Sequence, residues 1–216
     1  MKIKCRCCKT DFSKKALLEL KNMPKSAQFF PTREEACSES GVDVSIAQCP
    51  YCGLIQLEGE PVPYFREVIR AVDVSPEMKA FRMRQYRDFI TENHLEQGKI
   101  IEIGAGRGEY MEIMEAAGRE LGAGCRIYGL EYGEQSVNTG KGKGLRFYRG
   151  YPETAYSGIP EAPYDGFFSM NFLEHIPDPN SFLQAIYHNL ADGAAGLIEV
   201  PNVDMILEKK LFSEFI

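Results

Sequence analysis

Gly104, Gly106 and Gly108 alternate directly after Ile100, Ile101, Glu102 and Ile103. That order reads as a buried strand breaking into a sharp turn before a helix. Glycine tolerates positive φ and lets the backbone approach a ligand closely, while the helix behind it presents free N–H groups. This is the setting for an adenosine-bearing cofactor, with Glu102, Gly104, Ala105, Gly106 and Gly108 as its expected first contacts. A dinucleotide fingerprint would place a further glycine at position 109, but Glu109 stands there and its charge opposes a pyrophosphate. The loop therefore suits a ligand without phosphates, such as S-adenosylmethionine, whose sulfonium and amino groups are cationic. A tight strand-to-helix turn with no ligand is the alternative.

Two further stretches support the first reading by their order. Arg126 to Leu130 reads as a second strand, closed by Glu131 where a carboxylate can accept hydrogen bonds from both ribose hydroxyls; Tyr132 follows it. A solvated strand-end carboxylate is the competing view of Glu131. After a third strand at 146–149 and a fourth at 166–169 comes Met170, Asn171, Phe172, Leu173, Glu174, His175, Ile176 and Pro177, and Asn171, Phe172 and Leu173 are expected to touch the cofactor. His175 titrates in a useful range and is a weak candidate base, with a structural role as its alternative. His94 and His188 read as a linker residue and an ordinary helical one.

The cysteines form a separate pattern. Cys5-x-x-Cys8 and Cys49-x-x-Cys52-Gly53 are two knuckles, each able to aim two thiolates at one ion, and four thiolates close a tetrahedral zinc site. Such a site has no open position, so this metal is expected to hold a small fold together and not to activate water. A disulfide scaffold is disfavoured because no apolar signal segment opens the chain. A ligand swap between Cys7 and Cys8 stays open, Cys37 reads as a free thiol in a charged loop, and Cys125 reads as a small buried hydrophobe.

The IEIGAGRG loop, the acidic end of GLE, the YDGFFSMNFLEHIPDP segment and the LADGAAGLIEVPN strand together resemble class I S-adenosylmethionine-dependent methyltransferases over roughly residues 98–202. The resemblance implies a Rossmann-like α/β fold, a doubly wound and mostly parallel sheet with cofactor at the carboxyl ends of its strands. Many relatives carry an aspartate after the third strand for the adenine amino group; here Gly150, Tyr151, Pro152 and Glu153 stand in that place, so the resemblance leaves the adenine contact open, with Gly150 among the expected cofactor-binding residues. With the cysteine pairs added, the second as CPYCGLIQL, the whole chain resembles the C-methyltransferases of nucleotide-linked keto-deoxysugars, made for antibiotics or surface polysaccharides. That resemblance implies methylation of the carbon beside a ketone, by a base that removes the acidic α-proton. It also implies a tyrosine and histidine motif and a large C-terminal domain after the fifth strand. The chain ends at Ile216 before either, so the expectation is a fragment of a longer enzyme with an incomplete sheet and an unpaired edge at strand five.

The elements that must position these residues follow from pattern. The expected organisation is a zinc-binding module at 1–60, a helical connector at 61–97 and the cofactor domain at 98–216. Ser75 caps a helix with Pro76 and Glu77 in its first turn and an apolar side of Met78, Phe81, Tyr86, Phe89 and Ile90; Tyr64, Phe65 or Tyr86 are candidates to roof the pocket. Asp178 and Pro179 open another helix, with Phe182, Leu183, Ile186 and Leu190 on one face and Gly193 as its stop, before a fifth strand at 197–200. Gly140 to Gly144 reads as a mobile loop.

Charge narrows the partners. Residues 1–60 hold nine Lys or Arg against eight Asp or Glu, a formal +1, and residues 61–216 hold sixteen against twenty-three, a formal −7. Nucleic-acid binders carry the opposite balance, which weighs against a zinc-ribbon RNA methyltransferase, the main rival, and favours a small-molecule substrate such as a nucleotide sugar. A non-catalytic cofactor-binding scaffold is the third reading. No apolar run reaches membrane-spanning length, and the expected location is cytoplasmic.

Overall fold

The computed structural model describes residues 2–13, 16–24, 31–38, 40–61, 66, 74–209 and 211. The chain forms two compact units, Met1–Val62 with Pro201–Ile216, and Pro63–Val200. Tyr64 and Phe65 lie outside the described residues.

The first unit is built from short strands. β1 (Lys2–Lys4) and β2 (Asp11–Ser13) form an antiparallel hairpin around the first cysteine knuckle. β3 (Ala16–Met23), a one-turn helix α1 (Arg33–Ala36), β4 (Val42–Gln48) and β5 (Ile55–Leu57) follow, with β3, β4 and β5 in one antiparallel sheet. The α1 turn is held by a reciprocal cap: the Glu35 backbone N–H donates to the Thr32 hydroxyl, and the Thr32 backbone N–H donates to the Glu35 carboxylate. Cys37 caps this turn and is exposed. Among the described residues, Cys5, Phe12, Ala47 and Cys49 form a small buried cluster, and Ile46 is buried as well.

The second unit opens with α2 (Pro76–Glu92), capped by the Ser75 hydroxyl, which accepts the Met78 N–H at 3.2 Å. β6 (Lys99–Ile103), α3 (Glu109–Glu120), β7 (Arg126–Glu131), α4 (Glu134–Gly142), β8 (Arg146–Arg149), β9 (Tyr164–Met170), a 3₁₀ turn at Leu173–His175, α5 (Pro179–His188) and β10 (Leu190–Glu199) complete it. α6 (Val203–Lys209) belongs to the first unit. The strands form one parallel sheet in the order β10-β9-β6-β7-β8.

Alternation along the strands sorts the core into two layers. Ile100, Ile127, Phe147 and Phe168 face α2, α3 and α4, while Ile101, Ile103, Tyr128, Tyr164 and Phe167 face α5 and the 150–163 crossover. β6 is flanked by β7 on one side and β9 on the other, so the chain reverses its winding there. A crevice opens at the carboxyl ends of strands at such a switch point.

Several expectations change. Met78 and Phe81 are exposed and Arg82 is buried in their place on α2. Tyr86 is fully buried in the layer between α2 and the sheet, so it does not roof a pocket. The Gly140 to Gly142 stretch is the end of α4 and not a loop, because a Cβ at Gly140 would lie 2.1 Å from the Phe147 ring and only glycine lets helix and strand meet. α5 ends at His188, five residues before Gly193. The buried Asn189 side chain stops it, donating to Ala185 O at 2.7 Å and Ser157 O at 2.8 Å and accepting from Ile159 N–H at 2.7 Å. Leu190 therefore opens β10, which is longer than the expected 197–200 strand, with an irregularity between Leu190 and Ala195.

Candidate functional site

The glycine loop leaves β6 with φ of +76° at Gly104, +54° at Gly106 and +86° at Gly108. The N–H groups of Gly104 and Ala105 both donate to Leu130 O, at 3.0 and 3.2 Å, which ties the loop to β7. The three glycines do different work. A Cβ at Gly104 would lie 2.4 Å from the Phe172 ring, and one at Gly108 would lie 2.4 Å from Leu145 Cδ1, so both positions are filled by packing. A Cβ at Gly106 would meet nothing nearer than Glu109 Oε2 at 3.7 Å. Among the three, Gly106 has the open face.

Glu131 reaches back to this loop. Its Oε2 accepts the Gly106 N–H at 2.9 Å and its Oε1 accepts the Gly133 N–H at 2.8 Å, and the residue is 7% exposed. A carboxylate held at both oxygens keeps lone pairs for further donors, which suits a diol. With Glu109 beside it, the loop carries negative charge where a phosphate would need positive charge. The residues present therefore fit an adenosine with a cationic tail better than a nucleoside phosphate.

Ile103, Gly104, Leu130, Tyr132, Gly150, Tyr151, Pro152 and Phe172 line a narrow crevice of ≈ 10 Å³. Of the residues expected to touch a cofactor, Gly104, Tyr132, Gly150 and Phe172 come together here, and Gly106 and Glu131 meet beside it. Ala105 is buried in the α3 layer. Glu102 is fully buried and points to that same layer, among whose groups is Tyr86. Asn171 takes φ of +51°, is exposed, and donates its N–H to Glu199 O at 2.9 Å. Leu173 starts the 3₁₀ turn. His175 ends that turn, outside the crevice lining, with Nε2 3.8 Å from Glu174 Oε1; burial holds its imidazolium below the ordinary range.

The segment after β8 was only partly legible. Tyr151 packs against Phe182 with ring centres 6.0 Å apart, the Arg66 guanidinium lies 5.3 Å from the Tyr151 ring centre, and burial pushes the phenol up to about 12. Arg66 also grips Glu153 with two hydrogen bonds of 2.8 and 2.7 Å. Glu153 is thus engaged by a guanidinium, and the crevice wall after β8 is Gly150, Tyr151 and Pro152. Arg66 gave no sign in sequence, because nothing in the local pattern marks an ion pair 87 residues long.

The cysteine pairs show one geometry twice. Cys5 N–H donates to Thr10 O and Cys49 N–H to Leu54 O; Lys9 N–H returns to Cys5 O and Gly53 N–H to Cys49 O. Lys9 and Gly53 hold φ of +60° and +80°. Gln56 stitches the first turn to β5, accepting the Arg6 N–H at 2.9 Å and donating to Lys4 O at 3.2 Å. The four sulfurs lie within 4.8 Å of one another, with Cys5–Cys52 at 3.5 Å and Cys8–Cys49 at 3.6 Å. Tetrahedral zinc with bonds near 2.3 Å sets sulfurs about 3.8 Å apart, so the cluster fits the ion. Hydrogen bonding from Thr10 brings Cys8 down to about 6, the Leu54 N–H lowers Cys52, and burial lifts Cys5. Cys7 packs against this core and Cys125 is half-buried beside the α3 layer.

A family profile described as a methyltransferase domain matches residues 78–214. The ubiquinone biosynthesis O-methyltransferase of Bordetella avium (strain 197N) is 29% identical over 96 residues, covering 42% of this chain and 37% of that protein. The crystal structure of the plantazolicin methyltransferase BpumL in complex with a monoazolic desmethylPZN analog and SAH aligns with a TM-score of 0.51 at 18% identity, over 63% of this chain and 53% of that one. The structure of the same enzyme with SAH alone gives 0.50 at 18% identity, over the same shares. At such identity the likeness is one of fold. The aligned region spans about half of the structural relative and less of the curated one.

Proposed function

From the premise that this chain belongs to the methyltransferase-domain family, we propose that its glycine loop and Glu131 hold S-adenosylmethionine for transfer of a methyl group to a small molecule. The observation that carries this reading is the Glu131 carboxylate, clamped by Gly106 and Gly133 beside the one loop glycine with an open face. When bound, the donor supplies an electrophilic methyl on a sulfonium. The chain's own part is to orient it: Glu131 accepts from the ribose, Gly106 lets the backbone close on it, and Tyr132, Tyr151 and Pro152 wall the base.

Calorimetry tests this directly. Micromolar binding of S-adenosylmethionine and its demethylated product is expected, with a loss of about tenfold or more in Glu131→Ala, in which two backbone N–H partners and the ribose acceptor disappear. Tighter binding of ATP or NAD than of S-adenosylmethionine would overturn the reading.

The finer proposal for the substrate is a nucleotide-linked keto-deoxysugar methylated on carbon, supported by the joining of a four-thiolate module to this loop. Similarity to an O-methyltransferase supports a second acceptor, an oxygen atom. The −7 balance of residues 61–216 opposes RNA. Mass spectrometry of the methylated product separates the three: added mass that resists O-demethylation and replaces an exchangeable α-proton indicates carbon. The four cysteines are proposed to hold one structural zinc.

A further inference from the structure

A cavity of ≈ 240 Å³ opens where α3 ends and β7 and β8 begin, lined by Glu115, Gly118, Arg119, Ala123, Cys125 and Arg146. The glycine loop and Glu131 stand at the other ends of α3 and β7, and the cavity shares no lining residue with the crevice described above. Its floor is small and uncharged. Gly118 leaves space for the Cys125 sulfur, since a Cβ there would lie 2.7 Å from Sγ. Burial, with the charges of Glu115 and Glu96 behind it, raises the Cys125 thiol, so the sulfur stays protonated at neutral pH.

The rim is charged. Arg119 Nη1 lies 3.6 Å from Glu115 Oε2, and Arg146 Nη1 lies 3.9 Å from Glu115 Oε1. Both separations exceed hydrogen-bond length, and among the described residues neither guanidinium has a hydrogen-bond acceptor. Arg66, Arg82, Arg87 and Arg149 in the same unit each donate directly to a carboxylate, at 2.7 to 3.1 Å. Two arginines that do not are brought together at this one cavity. Arg146 is further steadied over the Tyr128 ring, 5.9 Å from its centre. The rim therefore sets two positive charges against one negative, with donors that meet at the two oxygens of a single group.

Concave sites with a few convergent polar groups take small molecules, and guanidinium forks match phosphate and carboxylate oxygens. A single carboxylate would only repeat what Glu115 already offers. A phosphate has a third oxygen and a second charge, enough to engage both forks at once. We infer that this cavity is an anion site separate from the donor crevice, which takes the terminal phosphate of a small molecule between Arg119 and Arg146 and the molecule's uncharged body over Gly118, Ala123 and Cys125. The inference is independent of what the glycine loop binds.

The test uses the full chain with inorganic phosphate at constant ionic strength, by calorimetry and by mass-spectrometric mapping of iodoacetamide labelling. Two solvent-exposed guanidiniums are expected to give a Kd of about 1 mM, and saturating phosphate should slow labelling of Cys125 about fivefold while leaving the exposed Cys37 unchanged. Arg146→Gln, a substitution at the exposed start of β8, should keep the parent's melting temperature and lose about tenfold in phosphate affinity together with the protection of Cys125. Phosphate affinity unchanged in Arg146→Gln, protection by chloride equal to that by phosphate, or phosphate displaced by S-adenosylmethionine overturns the separate site. Tighter binding of malonate than of phosphate overturns the ligand class.

Discussion

The cysteine knuckles and the glycine loop both turn the chain through left-handed residues, yet they are specified at different ranges. In the knuckles, each five-residue turn closes on itself: Cys5 with Thr10 and Lys9, Cys49 with Leu54 and Gly53. Once two such turns meet, four sulfurs are already in place, so spacing in the sequence is nearly the whole specification. In the glycine loop the φ values are equally local, but the role of each glycine is decided by distant residues. Phe172 covers Gly104, Leu145 fills the space at Gly108, and Glu131 fastens Gly106. A glycine pattern announces that a ligand can approach; the rest of the fold decides which glycine it meets.

The largest test of this contrast is on the knuckle side. Cys49→Ser removes a buried sulfur from the cluster of Cys5, Phe12, Ala47 and Cys49, and structural zinc contributes on the order of 10–16 kcal/mol to folding in small domains. The expected result is loss of bound zinc and of the β3–β4–β5 backbone signals in an NMR spectrum, with the 74–199 signals kept. Zinc content equal to the parent's would break the ligand assignment. On the other side, Glu199→Gln leaves Arg82 buried without its counter-charge. About 2–3 kcal/mol of stability should be lost in urea denaturation, less than for a fully enclosed pair because the Glu199 side chain is 34% exposed.

The glycines sharpen the comparison at smaller energies. Gly108→Ala forces a methyl toward Leu145 at φ of +86° and should cost roughly 1–3 kcal/mol of stability. Gly106→Ala has room and should cost about 1 kcal/mol for its left-handed backbone, while donor affinity falls by about tenfold or more; Gly106→Val should obstruct entry further. Calorimetry and melting of the pair distinguish the roles. A large stability loss at 106 with unchanged affinity would reverse the assignment.

Legibility followed the same division. β6, β7 and β9 were readable because each holds a short apolar run, whereas only the end of β10 was; the start of α5 was readable because Pro179 suits the first helical position, with the Asp178 carboxylate accepting the Ser181 hydroxyl at 2.9 Å. Gly140 was misread because a glycine that lets a helix touch Phe147 looks, in sequence, like a glycine that frees a loop. The end of α5 was misread because Asn189 is an ordinary residue until Ser157 and Ile159 arrive to occupy its amide. Arg82 was missed on α2 although it completes the spacing of Tyr86, Phe89 and Ile90. Its charge hid a helical position whose partner, Glu199, lies 117 residues away. Of the site, Gly106 and Glu131 could be named from motif order, whereas Arg66, the packing of Tyr151 and that of Phe172 on Gly104 depend on tertiary contacts.

The smallest expected effect tests how local the knuckles are. Lys9 and Gly53 occupy equivalent positions in the two turns, both left-handed, and a Cβ at Gly53 would meet nothing within 4 Å. Steric space at Gly53 is open, so the turns differ in backbone preference and in the charge that Lys9 brings near Cys7. Lys9→Gly should relieve the left-handed strain, offset in part by the greater freedom of glycine in the unfolded chain, for a net gain of about 0.5 kcal/mol. Gly53→Ala should lose about 1 kcal/mol by the same reasoning. Zinc stoichiometry should stay the same in both variants, and the shifts should appear in the chelator concentration needed to unfold the module. If Gly53→Ala instead abolished zinc binding while Lys9→Gly had no effect, the turns would not be equivalent, and the metal geometry would have to be set by contacts beyond each knuckle.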